Sequence, residues 1–266
     1  MPELPEVQTT VNQLKVFEKK TLINIKVHDF KLIAQKTLDS LKDKILLSIT
    51  RHGKYVHFAF ENLSLIVHLR MTGQFLIRQK KEKHDRATFF FSDQPLLFFK
   101  DTRRFGTFLM TNHPEEVFQK LGREPFDPYF TSEELYHLLL SRKQALKTAL
   151  LDQTLIAGLG NIYTDEALWK SALHPQKKSS SISFAQAEAL FSAIREVLQK
   201  GLDQGGTSLG EGNANFHAIN GQTGKNQKFL WVYAREKQPC PRCKSPIQKI
   251  TFQQRGTHFC PLCQEI

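Results

Sequence analysis

Cys240-Pro241-Arg242-Cys243 and Cys260-Pro261-Leu262-Cys263 bracket residues 244–259 near the end of the chain. Two Cys-x2-Cys knuckles at this separation offer four thiolates to one tetrahedral structural zinc and place a β-hairpin between them. All 4 cysteines lie in these two motifs, which favours a metal site over a disulfide framework. Gln254-Arg255-Gly256-Thr257-His258 is expected at the hairpin tip, with Arg255 reaching towards a phosphate. The 10 histidines are scattered without metal-ligand spacing.

Outward from the finger, residues 209–230 are rich in Gly, Asn and Gln with little periodicity. A long loop is expected there, of the kind that is commonly functional or mobile. Before it, the pattern predicts a helix over Phe184–Asp203, opened by a Ser183/Gln186 capping box and ended by Gly205-Gly206. Further helices are predicted over Ser132–Leu140, Lys143–Asp152 and Asn161–Leu173. The last two flank Leu155-Ile156-Ala157-Gly158-Leu159-Gly160, a glycine-bearing turn that makes a helix–turn–helix arrangement. Asn161 reads in two ways, as a plain N-cap or as a group beside a phosphate at a helix N-terminus. Gly122 to Pro128, with two prolines, reads as a linker.

From Thr21 to about Met110 the period is two, and strands are predicted at Leu22–Val27, Tyr55–Phe60, Leu65–Leu69, Ala87–Phe91, Leu96–Phe99 and Phe105–Met110. Several are apolar on both faces, so two packed sheets are expected rather than one open sheet. Polar turns lie between them at Arg51-His52-Gly53-Lys54 and Met71-Thr72-Gly73-Gln74. Lys54 is either a solvated turn residue or a phosphate contact. Asp101-Thr102-Arg103-Arg104-Phe105-Gly106 sets two arginines beside an aromatic, a combination that neutralises phosphate and wedges between bases. Met71 offers a second apolar wedge, although each of these residues alone also reads as core or surface filler.

The chain opens Met1-Pro2-Glu3-Leu4-Pro5-Glu6-Val7. Removal of Met1 leaves a secondary α-amine, and such amines titrate near pH 7.7–8.0, well below lysine. An amine unprotonated at neutral pH can attack a sugar C1′ and form a Schiff base. Glu3 places a carboxyl beside it for proton transfer. The same residues also read as a frayed end before an ordinary helix start. Val7, Val11, Leu14 and Val16 predict a short amphipathic helix that holds the terminus in place.

With 266 residues, 40% of them hydrophobic, the chain can bury a sizeable core, and two domains are expected. A formal net charge of +11 points to a polyanion, ahead of an acidic protein or an anionic membrane surface. No apolar run approaches the length of a membrane span, and no basic-then-apolar leader opens the chain. The expectation is a cytoplasmic protein, nucleoid-associated if bacterial.

Together these motifs resemble the formamidopyrimidine-DNA glycosylase (Fpg) family of base-excision repair. The resemblance spans nearly the whole chain and rests on MPELPEV at 1–7, RHGKYV at 51–56, HLRMTGQF at 68–75, DTRRFG at 101–106, LGREP at 121–125, LDQTLIAGLGNIYTDE at 151–166, GGTSL at 205–209 and QRGTHFCPLCQ at 254–264. Leu4 is similar to the Fpg branch rather than the endonuclease VIII branch, which typically carries Gly there. The resemblance implies an α+β protein in three parts. These are an N-terminal two-sheet β-sandwich with a catalytic helix (1–125), a helix-two-turn-helix domain with a lesion loop at 210–230 (126–230) and a β-hairpin zinc finger (231–266).

It further implies that Pro2 is the Schiff-base nucleophile, Glu3 the general acid and Glu6 a supporting group, with Lys147 near the lesion. Lys54, Asn161 and Arg255 would grip phosphates, while Met71, Arg103 and Phe105 fill the gap left by a flipped base. Cys240, Cys243, Cys260 and Cys263 would hold one structural zinc. The implied activity is that of a monomeric bifunctional glycosylase/AP lyase. It removes oxidised purines from damaged double-stranded DNA lying between the domains, then cuts the strand by β,δ-elimination. Two departures bear on lesion preference: the 210–230 loop lacks the family's glycine-aromatic-phenylalanine cluster, and Ala234 stands where Gly is usual. The loop offers Asn213, Asn215, Asn220, Gln222 and Thr223 to a base edge. The rival readings are an abasic-site lyase of altered specificity and a non-catalytic damaged-DNA-binding protein.

Overall fold

A computed structural model describes residues 1–209 and 216–266. The chain forms two compact units, residues 1–120 with 201–227, and residues 121–200 with 228–266. Residues 201–227, which sequence alone assigns to the helical domain, group with the first unit.

In the first unit helix α1 (Leu4–Leu14) starts the chain, with Pro5 in its first turn and Leu4, Val7, Val11 and Leu14 buried. A 3-10 turn at Lys15–Phe17 then changes the helical phase, which turns the expected face residue Val16 out to solvent. Eight strands follow: β1 (Thr21–Val27), β2 (Lys44–His52), β3 (Tyr55–Phe60), β4 (Leu63–His68), β5 (Gly73–Arg78), β6 (Asp85–Phe91), β7 (Leu96–Asp101) and β8 (Thr107–Thr111). Short helices α2 (Gln35–Asp39) and α3 (Glu115–Phe118) sit among and after them.

The strand order is β5-β7-β6-β1-β2-β3-β4-β8, all neighbours antiparallel. β1 and β2 share only the Thr21–Ile45 and Leu22–Lys44 pairings. This short hinge divides the order into two four-stranded halves whose inner faces pack together. Phe58 of β3 meets Phe75 and Phe89 at ring-centroid distances of 5.4 and 6.3 Å, and Phe108 of β8 meets Phe99 at 4.8 Å. The expected sandwich is therefore present, with an aromatic core.

Two strands escape a reading by period. In β2 the pairing with β3 shifts between Leu46 and Ser48, and such a bulge interrupts the alternation that marks a strand. β5 begins inside the expected turn, at Gly73. A Cβ there would lie 2.5 Å from the Leu69 carbonyl oxygen, so glycine marks a close backbone approach rather than the middle of a turn.

The second unit contains α4 (Ser132–Leu140), α5 (Leu146–Leu151), α6 (Asn161–Lys170) and most of α7 (Phe184–Asp203). The predicted capping box of α7 is formed, with Gln186 N–H donating to Ser183 Oγ at 3.2 Å and Ser183 N–H to Gln186 Oε1 at 3.0 Å. Gly205 and Gly206 follow with positive φ. LGREP docks onto the α5–α6 turn: Gly122 and Arg123 donate to the Gln153 and Leu155 carbonyls. A Cβ on Gly122 would sit 2.3 Å from Leu155 backbone.

Strands β9 (Gln248–Phe252) and β10 (Arg255–Phe259) make the finger hairpin. Its tip is Gln253-Gln254, both at positive φ, and not residues 254–258 as expected. Two-residue hairpin turns demand that backbone, which is signalled by Asn or Gly; glutamine gives no such signal. Arg255 opens β10 opposite Phe252. No helix among the described residues is long and apolar enough to cross a membrane.

Candidate active site

On the first unit the start of α1 is enclosed. Pro2, Glu3 and Glu6 are all buried. Glu6 Oε2 accepts the Glu3 N–H at 2.8 Å, and its Oε1 accepts the Thr207 N–H at 2.7 Å. The first bond fixes the peptide group next to Pro2; the second ties it to a segment 201 residues away. Gly206 has φ +89, and a Cβ there would lie 3.0 Å from both Glu6 Cγ and the Phe216 ring. Only glycine suits that backbone and that clearance. Glu3 occupies the N-cap position, where Ser, Thr, Asp or Asn is the usual choice. The Glu3 carboxylate nevertheless serves as a cap, accepting the Glu6 N–H while the Glu6 carboxylate accepts the Glu3 N–H in a reciprocal capping box.

Lys54 lies in the two-residue turn between β2 and β3, after Gly53 at φ +55. It is buried rather than solvated. Arg51 donates from Nε to Gln8 Oε1 at 2.9 Å and from a terminal nitrogen to the Gly53 carbonyl at 3.0 Å, which ties this turn to α1. His68, at the end of β4, accepts the Arg70 N–H at 2.9 Å. Burial, then the charges of Arg70 and Lys54, depress its pKa to about 3.

The expected wedge residues share one scaffold. Asp101 hydrogen-bonds to Thr72 Oγ1 and accepts the Gly106 N–H at 2.7 Å, while Thr72 Oγ1 accepts the Arg103 N–H at 3.0 Å. Met71 and Phe105 project 40% and 50% exposed from the two loops so joined, and the Arg103 guanidinium lies 4.8 Å over the Phe105 ring. Arg104 plays a different part from its neighbour: both its bonds, at 2.6 Å, go to Asp29. That guanidinium holds the Asp29 carboxyl below the usual carboxylate range.

On the second unit Asn161 is the first residue of α6, with Gly160 in the cap position. Its Nδ2 donates to the Gly256 carbonyl at 2.9 Å and to Tyr233 Oη at 3.3 Å, joining the helix start to the strand that carries Arg255. Lys147, expected near a lesion, is buried, with Nζ 2.6 Å from Asp165 Oδ1, 2.8 Å from Thr257 Oγ1 and 3.3 Å from the Gly256 carbonyl. Asp165 Oδ2 accepts the His258 N–H at 2.8 Å. Glu166 accepts three backbone N–H groups, from Trp231, Val232 and Tyr233, and burial pushes its carboxyl pKa up. Asp165 and Glu166 escaped the sequence reading, although two acids side by side in a helix otherwise suited to burial were a usable signal. Thr207 and Asp101 had none.

The four cysteine sulfurs lie within 4.8 Å of one another, with Cys240–Cys263 at 3.9 Å and Cys243–Cys260 at 3.4 Å. Tetrahedral zinc–thiolate bonds of about 2.3 Å require sulfurs about 3.8 Å apart, so this donor set fits zinc.

Residues 1–108 match the family model of the formamidopyrimidine-DNA glycosylase N-terminal domain, residues 121–211 its H2TH domain, and residues 237–266 the zinc finger found in FPG and IleRS. The chain belongs to the formamidopyrimidine-DNA glycosylase family. It is 38% identical to the formamidopyrimidine-DNA glycosylase of Protochlamydia amoebophila and 37% to that of Ligilactobacillus salivarius, with 99–100% of each chain covered. The fold is similar to MutM (Fpg) of Thermus thermophilus at TM-score 0.90 and 35% identity, covering 99% of this chain and 98% of that one. It is also similar to Lactococcus lactis Fpg in complex with N7-benzyl-Fapy-dG DNA, at TM-score 0.91 and 36% identity over 100% of both chains. Membership makes this a DNA glycosylase of base-excision repair with a structural zinc finger.

Residues 216–230, the described part of the expected 210–230 loop, are organised rather than irregular. His217 pairs with Thr223 around Gly221. Ile219 is buried in the sandwich core, donates its N–H to Gln13 Oε1 at 2.8 Å and accepts the Ile77 N–H at 2.8 Å. Asn213 and Asn215, expected to face a base, lie outside the described residues.

Proposed function

We propose that this chain excises oxidised purines, formamidopyrimidines and 8-oxoguanine, from duplex DNA and then cleaves the strand at the resulting abasic site. The observation that carries this reading is the double clasp of Glu6 on the Glu3 N–H and the Thr207 N–H, because it immobilises the residue next to a nucleophilic amine. Once Met1 is removed, the Pro2 nitrogen attacks C1′ of the damaged nucleotide as the N-glycosidic bond breaks. Glu3 supplies a proton in this step. Opening of the sugar gives an iminium on Pro2. Loss of a C2′ proton expels the 3′ phosphate, and a second elimination expels the 5′ phosphate.

Lys54, Asn161 and Arg255 grip phosphates around the extruded nucleotide. Met71, Arg103 and Phe105 fill the space it leaves, as extrusion demands. Lys147 supports this by bracing the Arg255 strand from within the second unit. We further propose that the chain works as a monomer on damaged DNA in the bacterial cytoplasm.

Borohydride reduction during turnover tests this. The expected product is a covalent adduct on an N-terminal Pro2, with strand cleavage of duplexes carrying a single 8-oxoguanine. An adduct on a lysine, or full activity with Met1 retained, overturns the assignment of Pro2. Cleavage of abasic duplexes alone leaves a lyase without base excision.

A further inference from the structure

The Trp169 side chain, in the last turn of α6, is buried, and its Nε1–H donates to Cys240 Sγ at 3.4 Å. Trp231 stacks on it at 5.2 Å between ring centroids and 27° between planes. Arg242, inside the first knuckle, lies 4.1 Å over the Trp169 ring. It donates to the Trp169 and Lys170 carbonyls at 2.8 and 2.7 Å, capping the end of the helix that begins with Asn161. Lys170 and Lys200 stand 5.0 and 4.3 Å over the Trp231 ring.

Four thiolates around a divalent zinc leave a net charge of −2 on the site. Cys240 is wholly buried, so this sulfur gains little from water and needs a protein donor. A phenylalanine would fill much of the same space; the indole adds a side-chain N–H to the backbone N–H groups of Cys243 and Arg242 that also reach this sulfur. We propose that Trp169 is a positioning residue for the zinc: its N–H orients the Cys240 thiolate and withdraws charge from it. The Trp231 face and the Arg242 cation hold that indole in place, and Lys170 and Lys200 stand over Trp231 in turn. Such partners commonly change metal affinity by about 10–100-fold when lost.

The test uses the full chain, carrying either zinc or cobalt(II) in its place. In Trp169→Phe, zinc transfer to a chromogenic chelator is expected to be at least about 10-fold faster. The sulfur-to-cobalt charge-transfer band is expected to move to lower energy, because a thiolate that loses a donor gives up electrons more readily. β-(3-Benzothienyl)alanine at position 169 keeps the bicyclic ring without the N–H. It should shift the band in the same direction even if Trp169→Phe folds poorly. Trp231→Phe keeps an aromatic face against Trp169 and removes no donor to the sulfur, so it should leave the band in place. An unmoved band in the benzothienyl protein, with or without faster zinc transfer, overturns the proposal and reduces Trp169 to packing.

Discussion

Lys147→Met tests the second unit most severely. The substitution keeps the aliphatic stem and removes the ammonium from a pair whose side chains are 1% and 0% exposed. Asp165 then retains the His258 N–H as a donor to Oδ2, while its other oxygen, Thr257 Oγ1 and the Gly256 carbonyl each lose a charged donor. Removing one partner of a buried ion pair costs about 3–5 kcal/mol, because the remaining charge stays buried without compensation. At roughly 4 °C per kcal/mol for a unit of this size, the melting temperature should fall by about 12–20 °C in scanning calorimetry. Lys147→Met combined with Asp165→Asn keeps an acceptor for the His258 N–H and removes the stranded charge, so it should recover more than half of the loss. A loss under about 1 kcal/mol in the single variant would refute this reasoning. So would a double variant no more stable than the single one.

Glu3→Gln should keep DNA affinity within about twofold in gel-shift titration while base excision falls by about 10²–10⁴, the usual worth of a positioned proton donor. Arg255→Ala should weaken DNA binding and lower the slope of log affinity against log salt by about 1, with zinc content unchanged; an unaltered slope removes Arg255 from the phosphate contacts. His68 has a folded pKa of about 3 against about 6.5 in the unfolded chain. Protons therefore favour the unfolded state between those values, and stability should fall as pH drops from about 6.5 towards 3, by up to roughly 1.4 kcal/mol per unit. His68→Asn should flatten that part of the urea-unfolding profile. Ile219→Ala takes the anchor of the 216–224 turn out of the sandwich core, a truncation worth about 2–5 kcal/mol locally. Excision of 8-oxoguanine should decline much more than cleavage of a ready-made abasic site, and equal losses would make the turn merely structural.

The amino-acid sequence by itself determined whatever depends on close neighbours. The Ser183/Gln186 cap and α7 were legible because their partners lie within a few residues of one another, and the zinc knuckles because each Cys-x2-Cys pair is itself local. The N-terminal heptad was legible as a helix start for the same reason, and as a family mark because it recurs with seven other motifs in order. The alternating strands revealed a sandwich, although they did not show that β1 and β2 hinge its halves through two residue pairs.

Only the tertiary structure decided where buried polar groups find partners. Glu6 meets Thr207 201 residues away, Asp165 meets His258 93 residues away, and Trp169 meets Cys240 71 residues away. Desolvation requires each such group to be satisfied somewhere, but it does not specify by which residue. Packing makes that choice once the sheets and helices have brought distant segments together. The same holds for residues 216–224, irregular in sequence yet pinned by the burial of Ile219. Periodicity reports the face a residue turns to the core; it carries no information about what waits there.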